Sequence, residues 1–263
     1  MIQQTMFIRK QSFLHALDPR SKIFLSAGLF SIGILFSDYR VMAVLFFSEI
    51  LILLVLARIP FSKMYTYLRL ILPLVVMALL IWPLFQREGT VLWSYWKIIV
   101  TLEGIQMGVA MGFRLLSLIV ATYLLLMTTE QRDLILALVK MGLRYDFGLM
   151  LGIALSKVPA LAGIAMTIMD AQKARGLELE KGNIIEKIRK YIPILIPLII
   201  AAIRLAEGLS IAIDSKAFGR GNRTYLRELH FRTKDVLVSS IVVVVVCLCV
   251  VLRIRGFGVM ELP

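Results

Sequence analysis

The sequence predicts an all-α polytopic membrane protein, with about five transmembrane helices and further long helices on the cytoplasmic face. Three observations predict it. Of the 263 residues, 59% are hydrophobic and the mean hydropathy is +0.86, whereas soluble domains sit near ~45–50% apolar. Five apolar stretches approach the length needed to cross a bilayer. The basic residues gather on one side of those stretches. The net charge of +13 would suggest nucleic acid in a soluble protein. Here the cations flank apolar spans, where they report cytoplasmic loops and anionic headgroups, so the bilayer is the expected partner and nucleic acid is not.

The spans are expected at 22–36, 41–57, 68–85, 104–127 and 236–252. Trp82, Trp93, Tyr95 and Trp96 surround the third loop as an interfacial belt does, and Arg87, Glu88 and Gly89 mark its turn. Lysines and arginines fix the orientation. With a cytoplasmic N-terminus, Arg9, Lys10, Arg20, Lys22, Arg58, Lys63 and Arg69 lie inside, together with seventeen more between Thr128 and Asp235. Only Arg40, Arg87, Lys97, Arg253 and Arg255 fall outside, and Arg114 lies within a span. That bias predicts a multi-pass protein of a cell membrane, N-terminus in and C-terminus out. Three regions follow: a four-span membrane domain over 1–127, a cytoplasmic coupling-helix domain over 128–235, and a last span with the C-terminus over 236–263.

The stretches 147–169 and 192–213 are apolar enough to span as well. Making both span would put Lys173, Arg175, Lys181, Lys187, Arg189 and Lys190 outside, against the positive-inside bias, so both are read as long helices on or partly in the cytoplasmic face. In the second, Arg204, Glu207, Ser210 or Ile211, and Asp214 make one narrow polar stripe on an otherwise apolar helix. Pro193 and Pro197 should break or kink the chain between a short amphipathic piece, 184–191, and that helix. Pro159 should bend the first long helix, whose Gly152, Ala162, Gly163 and Ala165 permit another helix to cross closely.

Little chemistry of other kinds is visible. Cys247 and Cys249 point about 200° apart on a helix and read as small hydrophobes. His15 and His230 stand outside any His/Cys cluster, so neither a metal site, a cofactor nor a His-based triad is expected. The first 22 residues carry charges and polar groups throughout and do not form the apolar core of a cleavable signal peptide. No phosphate-binding Gly-x4-Gly-Lys-Ser/Thr loop occurs, so ATP would be handled by a partner.

Several motifs then fall in a particular order. His15-Ala16-Leu17-Asp18-Pro19-Arg20-Ser21-Lys22 precedes the first span, Phe113-Arg114 lies in the fourth, and Thr128-Thr129 and Asp133-Leu134 follow it. Next come Ala171-Gln172-Lys173-Ala174-Arg175-Gly176 and, about forty residues on, Ser215-Lys216-Ala217-Phe218-Gly219-Arg220-Gly221, with Arg223-Thr224 and Leu226-Arg227-Glu228-Leu229 after it. Together they resemble the transmembrane T components of energy-coupling factor transporters, the family that includes cobalt-transport permease subunits. The resemblance covers nearly the whole chain. It implies that two Ala-Arg-Gly signatures end coupling helices and dock into two ABC-type ATPase subunits, as a homo- or heterodimer. A separate small membrane S component would capture a vitamin or transition-metal ion, and this chain would be a non-catalytic subunit.

The docking residues implied are Ala174, Arg175 and Gly176, then Ser215, Lys216 and Ala217 with help from Arg220. Lys216 stands where the second signature has arginine and lacks its planar fork of donors, so Arg175 should be the stronger anchor. An alternative register matches 173–176 to 216–219; the first is favoured by the residues downstream. Arg175 before Gly176 also suits plain helix-end chemistry, a cation at the negative end of the dipole with a left-handed glycine cap.

Within the membrane, Arg114 needs a partner. Glu49 is the expected one, the alternative being that each snorkels or meets backbone carbonyls separately. Gly104, Gly108 and Gly112 form a small-residue ridge, either for packing inside this subunit or as a surface along which an S component slides. A secondary transporter or a conventional ABC permease that binds substrate itself is the alternative function. The first should show several intramembrane acids, where only Glu49 qualifies. The second should not devote some hundred residues to the cytoplasmic face.

Overall fold

The fold was analysed in a computed structural model, which describes residues 7–8, 10, 12–86, 90–95, 98–178, 183–217 and 229–258. It is almost entirely helical. In chain order the elements are α1 (Pro19–Leu35), α2 (Tyr39–Leu51) running into a π-helical turn (Ile52–Leu56), α3 (Phe61–Phe85), a hairpin of β1 (Val91–Tyr95) and β2 (Ile98–Thr101), α4 (Leu102–Thr128), α5 (Gln131–Lys140), α6 (Tyr145–Ala174), α7 (Ile184–Ser215) and α8 (Thr233–Ile254). The chain divides into two compact units, one over 143–228 with the first four residues, the other over 5–142 and 229–263.

The larger unit contains α1 to α5 and α8. Its centre is α4, which packs against α1, α2 and α3, while α1 also packs against α8 and α5. Leu53, Met42, Val120, Leu124 and Met127 are fully buried between them. Three of them, α1, α2 and α4, start where the sequence supplies a cap. Asp18 and Asp38 accept from the amides of Arg20 and Arg40, both at 2.9 Å, and Thr101 accepts from Gly104 N at 3.2 Å.

Small residues set how closely these helices approach. A Cβ on Gly104 would stand 2.9 Å from Thr101 Oγ1 and 3.0 Å from Pro83 Cα, one on Gly108 3.4 Å from Leu79 O, and one on Gly112 3.3 Å from Val75 Cγ1. The ridge is therefore filled by α3 of the same chain. That is the contact internal packing requires. Gly28 admits Val242 of α8 in the same way.

The two ends of α1 and α8 are pinned together. Asp18 N donates to Asp235 Oδ1 at 2.7 Å where both helices begin, and Ser37 N and Asp38 N donate to Gly258 O at 3.1 and 3.2 Å where both have ended. The two helices therefore run parallel. Lys22 Nζ, at the start of α1, donates to Thr128 O at the end of α4 (2.9 Å). Since α4 ends on the side where α8 starts, the residues between them cross the membrane an even number of times or not at all.

The Glu49–Arg114 pair does not form. Glu49, fully buried, accepts from Ser117 Oγ at 2.8 Å. Arg114 donates to Phe36 O and to Ser37 Oγ, the latter at 3.2 Å. The reason lies in helix-end chemistry. Phe36 is the C-cap of α1, and its carbonyl, at the negative end of that helix, is one of the acceptors a helix leaves unused. Ser117, one turn beyond Arg114, faces the acid instead.

The hairpin is the other departure from expectation, since the aromatic residues of the third loop suggest an interfacial belt without strands. Val91 pairs with Thr101 and Tyr95 with Ile98 in antiparallel register. Arg87, Glu88, Gly89, Trp96 and Lys97 lie outside the described residues.

The smaller unit is α6 packed on α7. By length and hydropathy alone both qualify as spans, making six candidates with α2 through its π-turn, α3, α4 and α8; α1, at 17 residues, falls just short. Pro193 and Pro197 do not break α7, which is continuous, and Pro159 likewise lies inside α6. A Cβ on Gly152 or Gly163 would meet nothing within 4 Å, so no close crossing is made there among the described residues.

The contrast between glycines yields a prediction. Gly104→Ala must displace backbone of α3 and should lose about 1–3 kcal/mol of stability. Gly152→Ala, in open space on a helix, should be neutral or gain up to about 1 kcal/mol. Thermal unfolding in detergent reads the difference, and equal midpoints would contradict the packing.

Candidate functional site

The implied docking residues sit at the C-terminal ends of α6 and α7, and each end can be built from its sequence. At α6, Arg175 is the C-cap and Gly176 adopts φ +87°. Gly176 N donates to Lys173 O at 2.9 Å and Leu177 N to Gln172 O at 3.0 Å, the paired bonds of a Schellman closure. Glycine belongs here because a Cβ is costly in the left-handed region. Arg175 is thereby held exposed at the negative end of a 30-residue helix.

At α7 the first of these two bonds recurs with different residues. Lys216 is the C-cap, and Ala217 N donates to Asp214 O at 2.9 Å with φ +54°. Arg175-Gly176 and Lys216-Ala217 thus occupy equivalent positions, as do Ala174 and Ser215. Aligning the two C-caps pairs Arg175 with Lys216, as the first of the two registers does. Ala217 bears the steric cost that Gly176 avoids, roughly 1–2 kcal/mol. Arg220 lies outside the described residues, as do 218–228 altogether. The closure itself is general helix-ending chemistry, for it appears again after α8, where Arg255 precedes Gly256 (φ +82°) and Phe257 N donates to Leu252 O at 3.0 Å.

One residue of the first signature has a role that its position alone did not disclose. The carbonyl of Pro193 would be bonded by the amide of residue 197, but that residue is proline and has none. Gln172 Nε2 donates to it instead, at 3.3 Å. The side chain next to the α6 end thus restores the bond that the Pro-x3-Pro spacing removes from α7, and ties the two helices. The proline spacing predicts only a break or kink, and nothing in it points to Gln172.

The Leu-Asp-Pro-Arg-x-Lys motif is a structural knot. Asp18 caps α1, Pro19 takes its first position, Arg20 Nε lies 3.8 Å from Asp18, and buried Lys22 joins His15 O (3.2 Å) to Thr128 O. Asp235 accepts from Asp18 N and, through its other oxygen, from Arg232 N at 2.8 Å. His15 Nε2 lies 2.8 Å from Ile8 O and Nδ1 2.7 Å from Ser12 Oγ. A carbonyl only accepts, so Nε2 carries a proton, and the serine hydroxyl can donate to Nδ1 when the ring is neutral. Burial, with Lys22 nearby, holds its pKa below 6.5. Among the described residues no three His, Cys, Asp or Glu side chains are placed to hold a metal ion.

Comparison with known proteins agrees with the order of motifs. The family model described as cobalt transport protein (CbiQ) matches residues 10–226. The chain is 34% identical over 248 residues to the energy-coupling factor transporter transmembrane protein EcfT of Ruminiclostridium cellulolyticum, covering 90% of this chain and 92% of that one. It is 32% identical to the EcfT proteins of Streptococcus equi subsp. equi (90% and 91% covered) and of Clostridium kluyveri (94% and 95%).

Two predictions arise from this geometry. Gln172→Leu should cost about 1 kcal/mol and speed amide exchange near the α6 end. In Pro197→Ala, where residue 197 regains its N–H, the same change should cost almost nothing; full additivity in this double-mutant cycle would refute the role given to Gln172. For His15, the folded pKa lies below the unfolded 6.5, so its contribution is complete above that pH and declines as pH falls through the folded value. Between about pH 8 and about pH 5 the thermal midpoint of the native protein should fall more than that of His15→Gln. Parallel curves would contradict it.

Proposed function

We propose how this chain works from the premise that it belongs to the cobalt transport protein (CbiQ) family and is a transmembrane component of an energy-coupling factor transporter. In this reading the chain hydrolyses nothing. It links two ABC-type ATPase subunits to a small membrane S component that captures a vitamin or transition-metal ion, and converts closure of the ATPases into reorientation of that component. The 143–228 unit is the coupling element and faces the cytoplasm, with the N-terminus inside and the C-terminus outside.

The observation that carries the reading is the pair of equivalent helix ends, each presenting an exposed cation at a C-cap: Ala174-Arg175-Gly176 on α6 and Ser215-Lys216-Ala217 on α7. From Pro193 to Lys216 the helix extends roughly 35 Å at 1.5 Å per residue, whereas Arg175 is within a turn of Gln172, which touches Pro193. Two attachment points held that far apart suit two separate subunits. A lysine at the second offers a point charge where arginine offers a fork, so the two attachments are unequal. Arg220 assists the second. The apolar faces of α6 and α7, including exposed Phe147, Met150, Ile199 and Ile203, support cover by lipid or by the S component.

Co-expression with its ATPases and purification through this chain test the assignment. Arg175→Glu should cut ATPase recovery by about tenfold or more and abolish transport, while membrane insertion and thermal midpoint stay unchanged; a buried charge contact costs about 2–5 kcal/mol when broken. Lys216→Glu should cut it less. An Arg175→Glu protein that recovers its ATPases and transports fully would overturn the reading.

A further inference from the structure

A cavity of about 740 Å³ lies in the larger unit, between the segment before α1, the end of the α2 π-turn and the start of α8. Its size falls within the ~300–1,000 Å³ of small-molecule sites. Lys10, Arg58, Arg232 and Lys234 line it, all exposed at its rim, against a single acid, Asp235. That acid is already engaged, since both its oxygens accept backbone amides. Ser12 and the neutral ring of His15 lie on the wall, and Phe13, Val55 and Leu56, each partly exposed, supply an apolar side. Among the described residues the lining thus offers four cations and no free carboxylate.

Arg58 is placed there at a cost. It has φ +53°, a left-handed conformation that glycine adopts freely and a side chain does not. Its carbonyl accepts from Lys10 Nζ at 3.0 Å, which draws a second cation to the same mouth. The cavity opens where one apolar helix ends and another begins, the level at which a bilayer changes from headgroups to acyl chains.

We infer that this cavity is a binding site for the phosphate of an anionic phospholipid headgroup, held by Arg58, Arg232, Lys10 and Lys234, with the glycerol backbone against Phe13, Val55 and Leu56. The phosphate supplies the counter-charge that the described lining lacks, and guanidinium groups bind its oxygens in pairs. A free phosphate would satisfy the cations but leave the apolar wall unused.

The test is lipid retention by the full chain, purified from nanodiscs of equal phosphatidylglycerol and phosphatidylcholine and counted by native mass spectrometry. The wild-type protein should retain phosphatidylglycerol with about tenfold preference. Arg58→Gly keeps the carbonyl that holds Lys10 and relieves the backbone, so it should lower retention about fivefold while leaving the thermal midpoint equal or higher. Arg58→Gly with Arg232→Gln should remove the preference, and Arg58→Lys with Arg232→Lys should keep most of it. If the double charge-removing variant fails to fold, the single Arg58→Gly result decides by itself. Equal retention of phosphatidylcholine, or undiminished phosphatidylglycerol in Arg58→Gly, would overturn the proposal. So would a wild-type chain that binds inorganic phosphate but shows no lipid preference, since the source would then be the free ion.

Discussion

One carboxylate holds the larger unit together across nearly the whole length of the chain. Asp235, 1% exposed, accepts from the amides of Asp18 and Arg232, so a group on the last helix satisfies donors at the starts of both the first and the last. A buried carboxylate is tolerable only with such partners, and removing it would leave two amides unsatisfied. The knot extends through Lys22 to the end of α4. Three helix ends thus meet at one polar point, and the parallel course of α1 and α8 follows from it.

The spans were legible because an apolar run of membrane length suits little besides a bilayer, and α3, α4 and α8 contain the stretches expected from sequence. The π-turn and the hairpin were not. Val91 to Tyr95 offers aromatic and branched residues that serve an interfacial loop as well as a strand. Nor does hydropathy set α6 and α7 apart, for they meet the same length and composition as the other candidate spans. Charge was the only discriminator the sequence contained.

The site divides similarly. Arginine before glycine at the end of a long helix is local information, and the Schellman closure at Gly176 follows from it. The partners of Glu49, Arg114 and Asp235 are not local. Each depends on which groups other helices leave unused, and for Asp18 and Asp235 the separation is 217 residues. The pairing of Glu49 with Arg114 assumed that opposite charges seek each other. In the folded chain a spare helix-end carbonyl and a serine hydroxyl were the nearer solutions.

The insertion of α6 and α7 between α5 and α8 acquires a meaning from the knot. Because residues 5–142 and 229–263 close on each other directly, the intervening helices are spliced into a body whose own seams are already shut. They form a cassette in the sense used for domain insertion, entered after Gly142 and left before Leu229. Substitutions can then accumulate in the cassette without opening the seams that hold the body together.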